Sequence, residues 1–234
     1  SGDGDSLSIG IGQLAHAIRR NVNVLYVLEN NGVYGLTKGQ FSASADRGSL
    51  SKKGEANTME SIDGCLLALT LGASFVARSF SGDKKQLIPL VKAAIAHEGA
   101  AFIDVISPCV AFNNHAGSTK SYEYVRQHNE AVNRMDFIES RDEITAQYAP
   151  GEVVDVQQHD GTVIRMRKLA ADYDATDRIK VMNYLQQRAA AGEVVTGLLY
   201  IDAAAEDLHE HLHTVETPLN QLANAELCPG AVAL

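Results

Sequence analysis

The 234-residue sequence contains no tryptophan and only three cysteines. Cys65, Cys109 and Cys228 lie far apart, which is not the pattern of a disulfide framework and is typical of a reducing compartment such as the cytoplasm. No apolar run is as long as a membrane span, and no signal peptide is apparent. The formal net charge is -9 and no basic stripe is present, which argues against nucleic acid as a partner.

The chain does have the length and apolar content of one large α/β domain, or of one domain with an appendage. Apolar residues at helical spacing and continuous β-branched runs alternate along its first half. The predicted helices are Ser6–Arg20, Met59–Leu71 and Asp83–His97, and the predicted strands are Val22–Leu28, Ser74–Phe80 and Ala101–Ile106. Right-handed crossovers would join these strands into a doubly wound parallel sheet. In the third helix we expect a buried face made of Leu87, Ile88, Val91 and Ile95.

From residue 133 the pattern changes, which predicts a small α+β extension over 133–234 after a domain over 1–132. Its predicted elements are a hairpin with strands Val153–Val156 and Thr162–Met166 around an Asp160-Gly161 turn, a helix Asp177–Ala190 and a strand Gly197–Ile201. The extension also holds His209, His211 and His213. Closely spaced histidines can bind a metal, but no fourth ligand pattern is evident, and the role of this cluster stays open.

Oxygen ligands and glycines gather at the two ends of the stretch from Gly2 to Gln40. If this stretch forms a β-α-β unit, both ends meet at the carboxyl edge of a parallel sheet, where such sheets bind ligands. The Asp3 carboxylate, the Asn31 amide oxygen and the Val33 carbonyl are hard ligands of the kind that suit Mg²⁺ with bound phosphates.

The glycines beside Asp3 predict a phosphate site. Gly2 and Gly4 carry no Cβ and allow close approach of a diphosphate, while the amides of Gly4 and Asp5 would face it at the start of a helix. A calcium-binding EF-hand loop is excluded, because its sixth and twelfth positions counted from Asp3 are Ser8 and Leu14. Asn31-Gly32 on its own is also compatible with a plain turn.

Three sequence blocks together resemble the β subunits of the 2-oxoacid:ferredoxin oxidoreductases, which bind thiamine diphosphate. The blocks are Gly2-Asp3-Gly4-Asp5, Arg19-Arg20-Asn21 and Tyr34–Gln40, in the order that this family shows. Leu36-Thr37-Lys38 and Phe112–His115 are most similar to the 2-oxoglutarate type. The resemblance implies a parallel α/β fold of the thiamine diphosphate-binding type.

The resemblance also implies roles for individual residues. Asp3, Asn31 and the Val33 carbonyl would hold Mg²⁺, and Leu36 and Lys38 would take part in catalysis beside the cofactor. The implied contacts to thiamine diphosphate are Gly4, Asp5, Tyr34, Gly35, Leu36, Thr37, Lys38, Gly39 and Gln40.

In this family the reaction is the oxidative decarboxylation of a 2-oxoacid to an acyl-coenzyme A, with electrons passed to ferredoxin. The family's β subunit carries a [4Fe-4S] cluster held by four cysteines, and Cys109 fits the fourth of them. The other three would precede Gly2, and a strand is expected before Asp3, so we interpret the chain as an amino-terminally truncated fragment. An α subunit would supply the pyrimidine half of the site, which implies a heterodimer or heterotetramer.

Two alternatives stay open at this stage. A different thiamine diphosphate-dependent decarboxylase or synthase would lack the cluster, and Cys109 would then be an ordinary core residue. A non-catalytic module could also use an α/β domain as a scaffold, since a fold does not determine a function.

Overall fold

The structure is a computed structural model that describes residues 1–137, 149, 152–157, 163–167, 173–215 and 217–223. It begins with a π-helical segment at Gly4–Ile9 and ends with a 3-10 turn at Leu219–Gln221. The α-helices are α1 (Ile11–Arg19), α2 (Gly64–Leu71), α3 (Lys84–Ala96), α4 (Tyr122–His128), α5 (Arg178–Ala190) and α6 (Leu208–His211). The strands are β1 (Val24–Asn30), β2 (Val33–Tyr34), β3 (Gln40–Phe41), β4 (Phe75–Phe80), β5 (Ala100–Ile106), β6 (Asn129–Ala131), β7 (Val153–Gln157), β8 (Val163–Arg167) and β9 (Val194–Ile201).

The main sheet has the strand order β1-β5-β4-β9-β6. β1, β5 and β4 are parallel, with Tyr26 beside Phe102 and Phe102 beside Val76. This confirms the expected α/β sheet built by crossovers through helices. β9 pairs antiparallel with β4, so the sheet is mixed and mainly parallel. β9 falls within the extension predicted from residue 133, and the domain boundary there stays a prediction.

Helices cover both faces of the sheet. α1, α2 and α5 pack on one face through residues such as Leu14, Leu69 and Val181, around Phe102. α3 packs on the other face against Ile103 and its neighbours. Every residue of β4 and of β5 is buried, as expected of central strands covered on both sides.

The predicted buried face of α3 was partly wrong. Ile88 and Ile95 are 53% and 69% exposed, whereas Leu90 and Ala94 are buried. This helix carries two overlapping apolar stripes about one residue apart, and helical spacing does not say which one faces the sheet.

The hairpin predicted in the carboxyl-terminal part is confirmed, because β7 and β8 pair antiparallel with Val153 opposite Arg167. Its Asp160-Gly161 turn lies outside the described residues. The predicted helix and strand that follow are confirmed as α5 and β9. In the described part of the chain, no helix is long and apolar enough to cross a membrane.

Candidate cofactor site

The first residues of the chain lie along β1 and place Asp3 at the carboxyl edge of the sheet. The Ser1 amino group donates to the Val27 carbonyl at 2.9 Å, and Glu29 N donates to the Ser1 carbonyl at 2.8 Å. Gly2 forms a parallel bridge with Glu29. Asp3 therefore lies beside the residues that follow β1, as the proposed β-α-β arrangement requires, and it is only 1% exposed.

The two oxygens of the Asp3 carboxylate have different surroundings. Oδ2 accepts hydrogen bonds from Gly32 N at 3.1 Å, from Ser44 Oγ at 2.6 Å and from Ser42 Oγ. Oδ1 accepts one long bond from Asn31 N at 3.3 Å. A buried carboxylate needs partners for both oxygens, so Oδ1 is the atom available to a cation. We call Asp3, Asn31, Gly32, Ser42 and Ser44 the Asp3 clamp.

Asn31 and Val33, the other two predicted Mg²⁺ ligands, lie in the same turn as Gly32. Asn31 Oδ1 accepts from Val33 N at 3.0 Å, which fixes the amide oxygen within this turn. Asn113 Nδ2 donates to the Asn31 carbonyl at 2.7 Å, and Asn113 is itself buried. Asp3 thus contacts the turn that holds Asn31 and Val33, and the role of these three residues in binding Mg²⁺ stays a prediction.

The loop from Tyr34 to Gln40 is a tight turn beside the Asp3 clamp. Gly39 N donates to the Tyr34 carbonyl at 2.9 Å, and Lys38 and Gly39 adopt φ values of +77° and +86°. A Cβ on Gly4 would lie 2.6 Å from the Tyr34 ring, so only glycine fits under this loop. Leu36 is fully exposed at the tip of the loop.

Cys109 lies against the same loop, three residues beyond the end of β5. A Cβ built on Gly35 would be 3.9 Å from its Sγ. The Cys109 carbonyl accepts from Phe112 N and from Asn113 N, at 3.2 and 2.8 Å. Its side chain is half-buried, in contrast to Cys65, which is fully buried in the core.

A cluster of buried ion pairs lies next to the Asp3 clamp. Arg78 Nη2 donates to Asp63 Oδ1 at 2.6 Å, and Arg78 Nε donates to Asp104 Oδ2 at 2.9 Å. Lys120 Nζ pairs with Asp46 Oδ2 at 3.0 Å. These residues line a cavity of about 480 Å³ that also reaches Asn30 and Ser44.

Burial and pairing shift the pKa values of these acids in opposite directions. Burial raises the pKa of Asp104 above its ordinary value, and Arg78 offsets only part of that effect. Burial acts the same way on Asp63 and Asp46, but the charges of Arg78 and Lys120 together with hydrogen bonds to the two carboxyl groups outweigh it and lower both pKa values below the ordinary value. Asp104 Oδ1 is buried without a hydrogen-bond partner among the described residues.

The predicted residues that meet in the structure are Asp3, Gly4, Asn31, Val33, Tyr34, Gly35 and Cys109. The exposed residues of the loop are Leu36, Thr37, Lys38 and Gln40. Asp5, at the start of the first helical segment, is also exposed. Ser42, Ser44 and Asn113 were missed as parts of the site. Among the described residues, no group of three or more His, Cys, Asp or Glu could hold a metal, so no metal site is found at His209, His211 and His213. The predicted Mg²⁺ site contains only one residue of these types, Asp3, beside an amide and a backbone carbonyl. The absence of such a group therefore does not bear on it.

Comparison with known proteins connects this geometry to thiamine enzymes. Residues 1–105 match the family described as thiamine pyrophosphate enzyme, C-terminal TPP binding domain. The 2-oxoacid:ferredoxin oxidoreductase subunit beta of a Sulfolobus species is 46% identical over 114 residues, covering 48% of this chain and 37% of that protein. The 2-oxoglutarate oxidoreductase subunit KorB of Mycobacterium tuberculosis is 41% identical over 115 residues, covering 49% of this chain and 31% of that protein.

A solved structure is similar over most of the chain. The 2-oxoglutarate:ferredoxin oxidoreductase from Magnetococcus marinus, with 2-oxoglutarate, coenzyme A and succinyl-CoA bound, matches with a TM-score of 0.67 and 28% identity. The match covers 91% of this chain and 58% of that one. The chain spans about a third of the length of the two curated relatives above, at 37% and 31%.

Proposed function

We propose that this chain forms the diphosphate-binding half of the active site of a 2-oxoacid:ferredoxin oxidoreductase, because residues 1–105 match the thiamine pyrophosphate-binding domain family and the chain is similar to β subunits of such enzymes. The reaction would be the oxidative decarboxylation of a 2-oxoacid to the acyl-coenzyme A, with ferredoxin as electron acceptor. The similarity to the 2-oxoglutarate oxidoreductase subunit KorB of M. tuberculosis and to the 2-oxoglutarate-bound structure favours 2-oxoglutarate as the substrate.

The observation that carries this proposal is the meeting of Asp3 with the turn Asn31–Val33 at the carboxyl edge of the sheet. Asp3 is almost completely buried, yet its Oδ1 accepts only one long hydrogen bond. Hard oxygen atoms close to this atom suit Mg²⁺, which commonly takes one or two carboxylates together with substrate phosphates. The donor set therefore fits the metal that thiamine diphosphate brings with it.

Each part of the site would then have a definite task. Asp3, Asn31 and the Val33 carbonyl would hold the cation, while Gly4 and Asp5 would present backbone amides to the diphosphate. Thiamine diphosphate would supply the electron sink for decarboxylation when bound. The exposed Tyr34–Gln40 loop would lie over the cofactor, with Lys38 available to a carboxylate of the substrate or to the diphosphate.

Further proposals concern the iron-sulfur cluster and the partner subunit. Cys109 is half-buried beside Gly35, so a cluster bound to it would lie next to the cofactor loop. Four thiolates are the usual ligands of such a cluster, and Cys109 would be one of them. A second subunit would supply the carboxylate that contacts the pyrimidine ring and would cover exposed residues such as Leu36.

The substitution Asp3→Ala tests the metal and diphosphate site. We expect it to abolish thiamine diphosphate binding in the assembled enzyme, measured by calorimetry with Mg²⁺ present, because it removes the one carboxylate of the site. Asp207→Ala is the matched control, since Asp207 is also a buried aspartate but caps α6, next to Asn21 at the opposite edge of the sheet. Unchanged cofactor affinity in Asp3→Ala would refute the assignment.

The activity itself is tested by dye reduction. The assembled enzyme should reduce a viologen dye when it is given coenzyme A and 2-oxoglutarate, and more slowly with pyruvate. Iron and sulfide analysis should detect the cluster, and Cys109→Ala should lower the iron content. Bound cofactor without reduction of the dye by any 2-oxoacid would favour a non-catalytic module.

A further inference from the structure

Two serines outside the predicted motif contact the Asp3 carboxylate. Ser42 and Ser44 follow β3, about forty residues after Asp3 in the sequence, and both direct their hydroxyl groups at Asp3 Oδ2. We propose that they are positioning residues, which hold the carboxylate in one orientation so that Oδ1 faces the cation. This inference rests on the proposed function, and it adds two residues to that site.

The hydrogen-bond count at Asp3 supports this role. Oδ2 has three donors, Gly32 N and the two serine hydroxyls, whereas Oδ1 has a single long one. The Ser44 hydroxyl has three acceptors within reach, Asp3 Oδ2 at 2.6 Å, Asn30 Oδ1 at 2.9 Å and Ser42 Oγ at 3.1 Å. The nearest acceptor is also the charged one and forms the strongest bond. A half-turn of the carboxylate would exchange two equivalent oxygens and restore the same bonds, whereas any smaller rotation would move an oxygen away from these donors.

Both serines are buried, so water could not easily take over the hydrogen bonds of their hydroxyl groups. Ser42 and Ser44 are 6% and 2% exposed, so solvent has little access to their side of Asp3. Ser42 N also donates to the Gly32 carbonyl at 3.1 Å, and Ala45 N donates to the Ser42 carbonyl at 3.1 Å. The backbone that carries the hydroxyl groups is thereby fixed to the turn that carries Asn31. The two serines thus connect one predicted metal ligand to the other.

The expected effect is on the metal, not on the fold. Removing a residue that orients a metal ligand typically lowers metal affinity by about 10–100-fold. We therefore expect Ser42→Ala and Ser44→Ala each to raise the Mg²⁺ concentration that gives half-maximal thiamine diphosphate binding by roughly that factor. Saturating Mg²⁺ should restore cofactor binding in both variants, which a loss of folded protein would not allow.

The experiment titrates Mg²⁺ into the assembled enzyme at a fixed thiamine diphosphate concentration and follows cofactor binding by calorimetry. Ser79→Ala is the matched control. Ser79 lies on β4 and is also fully buried, and its substitution removes one hydroxyl bond, to Gln86 Oε1. Ser44→Thr retains the hydroxyl and should restore most of the metal affinity. The melting temperature of each variant is measured in parallel.

The outcomes separate this inference from the proposed function. Half-maximal Mg²⁺ concentrations of both serine variants within threefold of the unsubstituted enzyme would overturn the inference alone. A loss of cofactor binding that excess Mg²⁺ does not restore would also overturn it, since that result indicates a structural role. Cofactor binding by the unsubstituted enzyme that does not depend on a divalent metal would overturn the metal assignment in the proposed function as well.

Discussion

Replacing Arg78 with methionine tests how far the fold depends on the ion cluster beside the site. Arg78 bridges Asp63, which caps α2, and Asp104, which lies on β5. Methionine is unbranched and adapts to the space of the arginine stem, but it carries no charge. The substitution therefore leaves two neighbouring carboxylates without the cation that joins them.

The burial of the three side chains sets the magnitude. Asp104 is 1% exposed and has no access to hydration, whereas Asp63 is 27% exposed. Removing one partner of a buried ion pair typically costs about 3–5 kcal/mol. Proton uptake by Asp104 limits this cost, because protonating an acid with an unperturbed pKa of about 3.9 costs roughly 4 kcal/mol at pH 7 and about 1.5 kcal/mol at pH 5. We therefore expect a loss of about 3–4 kcal/mol at pH 7 and about 1–2 kcal/mol at pH 5.

The direction of the pH dependence follows from the raised pKa of Asp104. Burial already raises this pKa while Arg78 is present, and removing Arg78 raises it further. A carboxyl group whose pKa is higher in the folded state destabilises that state as the pH rises through the interval between the unfolded and folded values. The penalty of Arg78→Met should therefore grow between pH 5 and pH 7.

Urea unfolding followed by far-UV circular dichroism at both pH values measures this difference. Arg47→Met is the control, because Arg47 pairs with Glu60 at the surface and both side chains are more than 60% exposed. A surface pair contributes about 1 kcal/mol at most, so this control should change little at either pH. A loss below 1 kcal/mol for Arg78→Met at pH 7, or an equal loss at pH 5, would refute the reasoning.

Two further substitutions or modifications probe the site loop and the cysteines. Gly4→Ala should lower the free energy of unfolding by about 1–3 kcal/mol and impair thiamine diphosphate binding, because its Cβ would overlap the Tyr34 ring. Gly12→Ala is the control, since a Cβ there meets nothing within 4 Å. In the same unfolding assay it should be neutral or stabilising by about 0.5 kcal/mol. In the folded chain without bound iron, iodoacetamide should label Cys109, and it should label Cys65 only after unfolding, since Cys65 is fully buried and burial raises the pKa of its thiol well above the ordinary value. Mass spectrometry of tryptic peptides distinguishes the two sites, and equal labelling of the folded chain at both cysteines would contradict the burial argument.

The parallel strands could be predicted from the sequence because each is a short apolar run between helices of regular spacing. β4 and β5 begin within one residue of the predicted positions, and β1 begins two residues later than predicted. The antiparallel pairing of β9 with β4 was not predictable, because a buried strand reads as an apolar run whichever way it pairs. The orientation of α3 also depended on packing, which its two apolar stripes left undetermined.

The residues of the site were also predictable only in part. Asp3 and Asn31 could be identified because each follows a local pattern, with glycines flanking Asp3 and an Asn-Gly pair after the strand. Ser42, Ser44 and Asn113 had no such pattern. The two serines contact Asp3, and Asn113 contacts Asn31, only because the loop after β3 and the segment after β5 both return to the carboxyl edge of the sheet. Contacts over 39 to 82 residues of sequence are a property of the fold and not of any motif.

The buried aspartates near the site differ in the charge of their hydrogen-bond partners. Asp63 and Asp104 pair with Arg78, and Asp46 pairs with Lys120. Asp3 is as deeply buried as Asp104, yet among the described residues its hydrogen-bond partners are neutral amides and hydroxyl groups. Burying an ionised carboxylate without a counter-charge is costly. Among the described residues, three neighbouring acids have cationic partners and Asp3 has none, which is why we propose a divalent cation as the partner of this carboxylate.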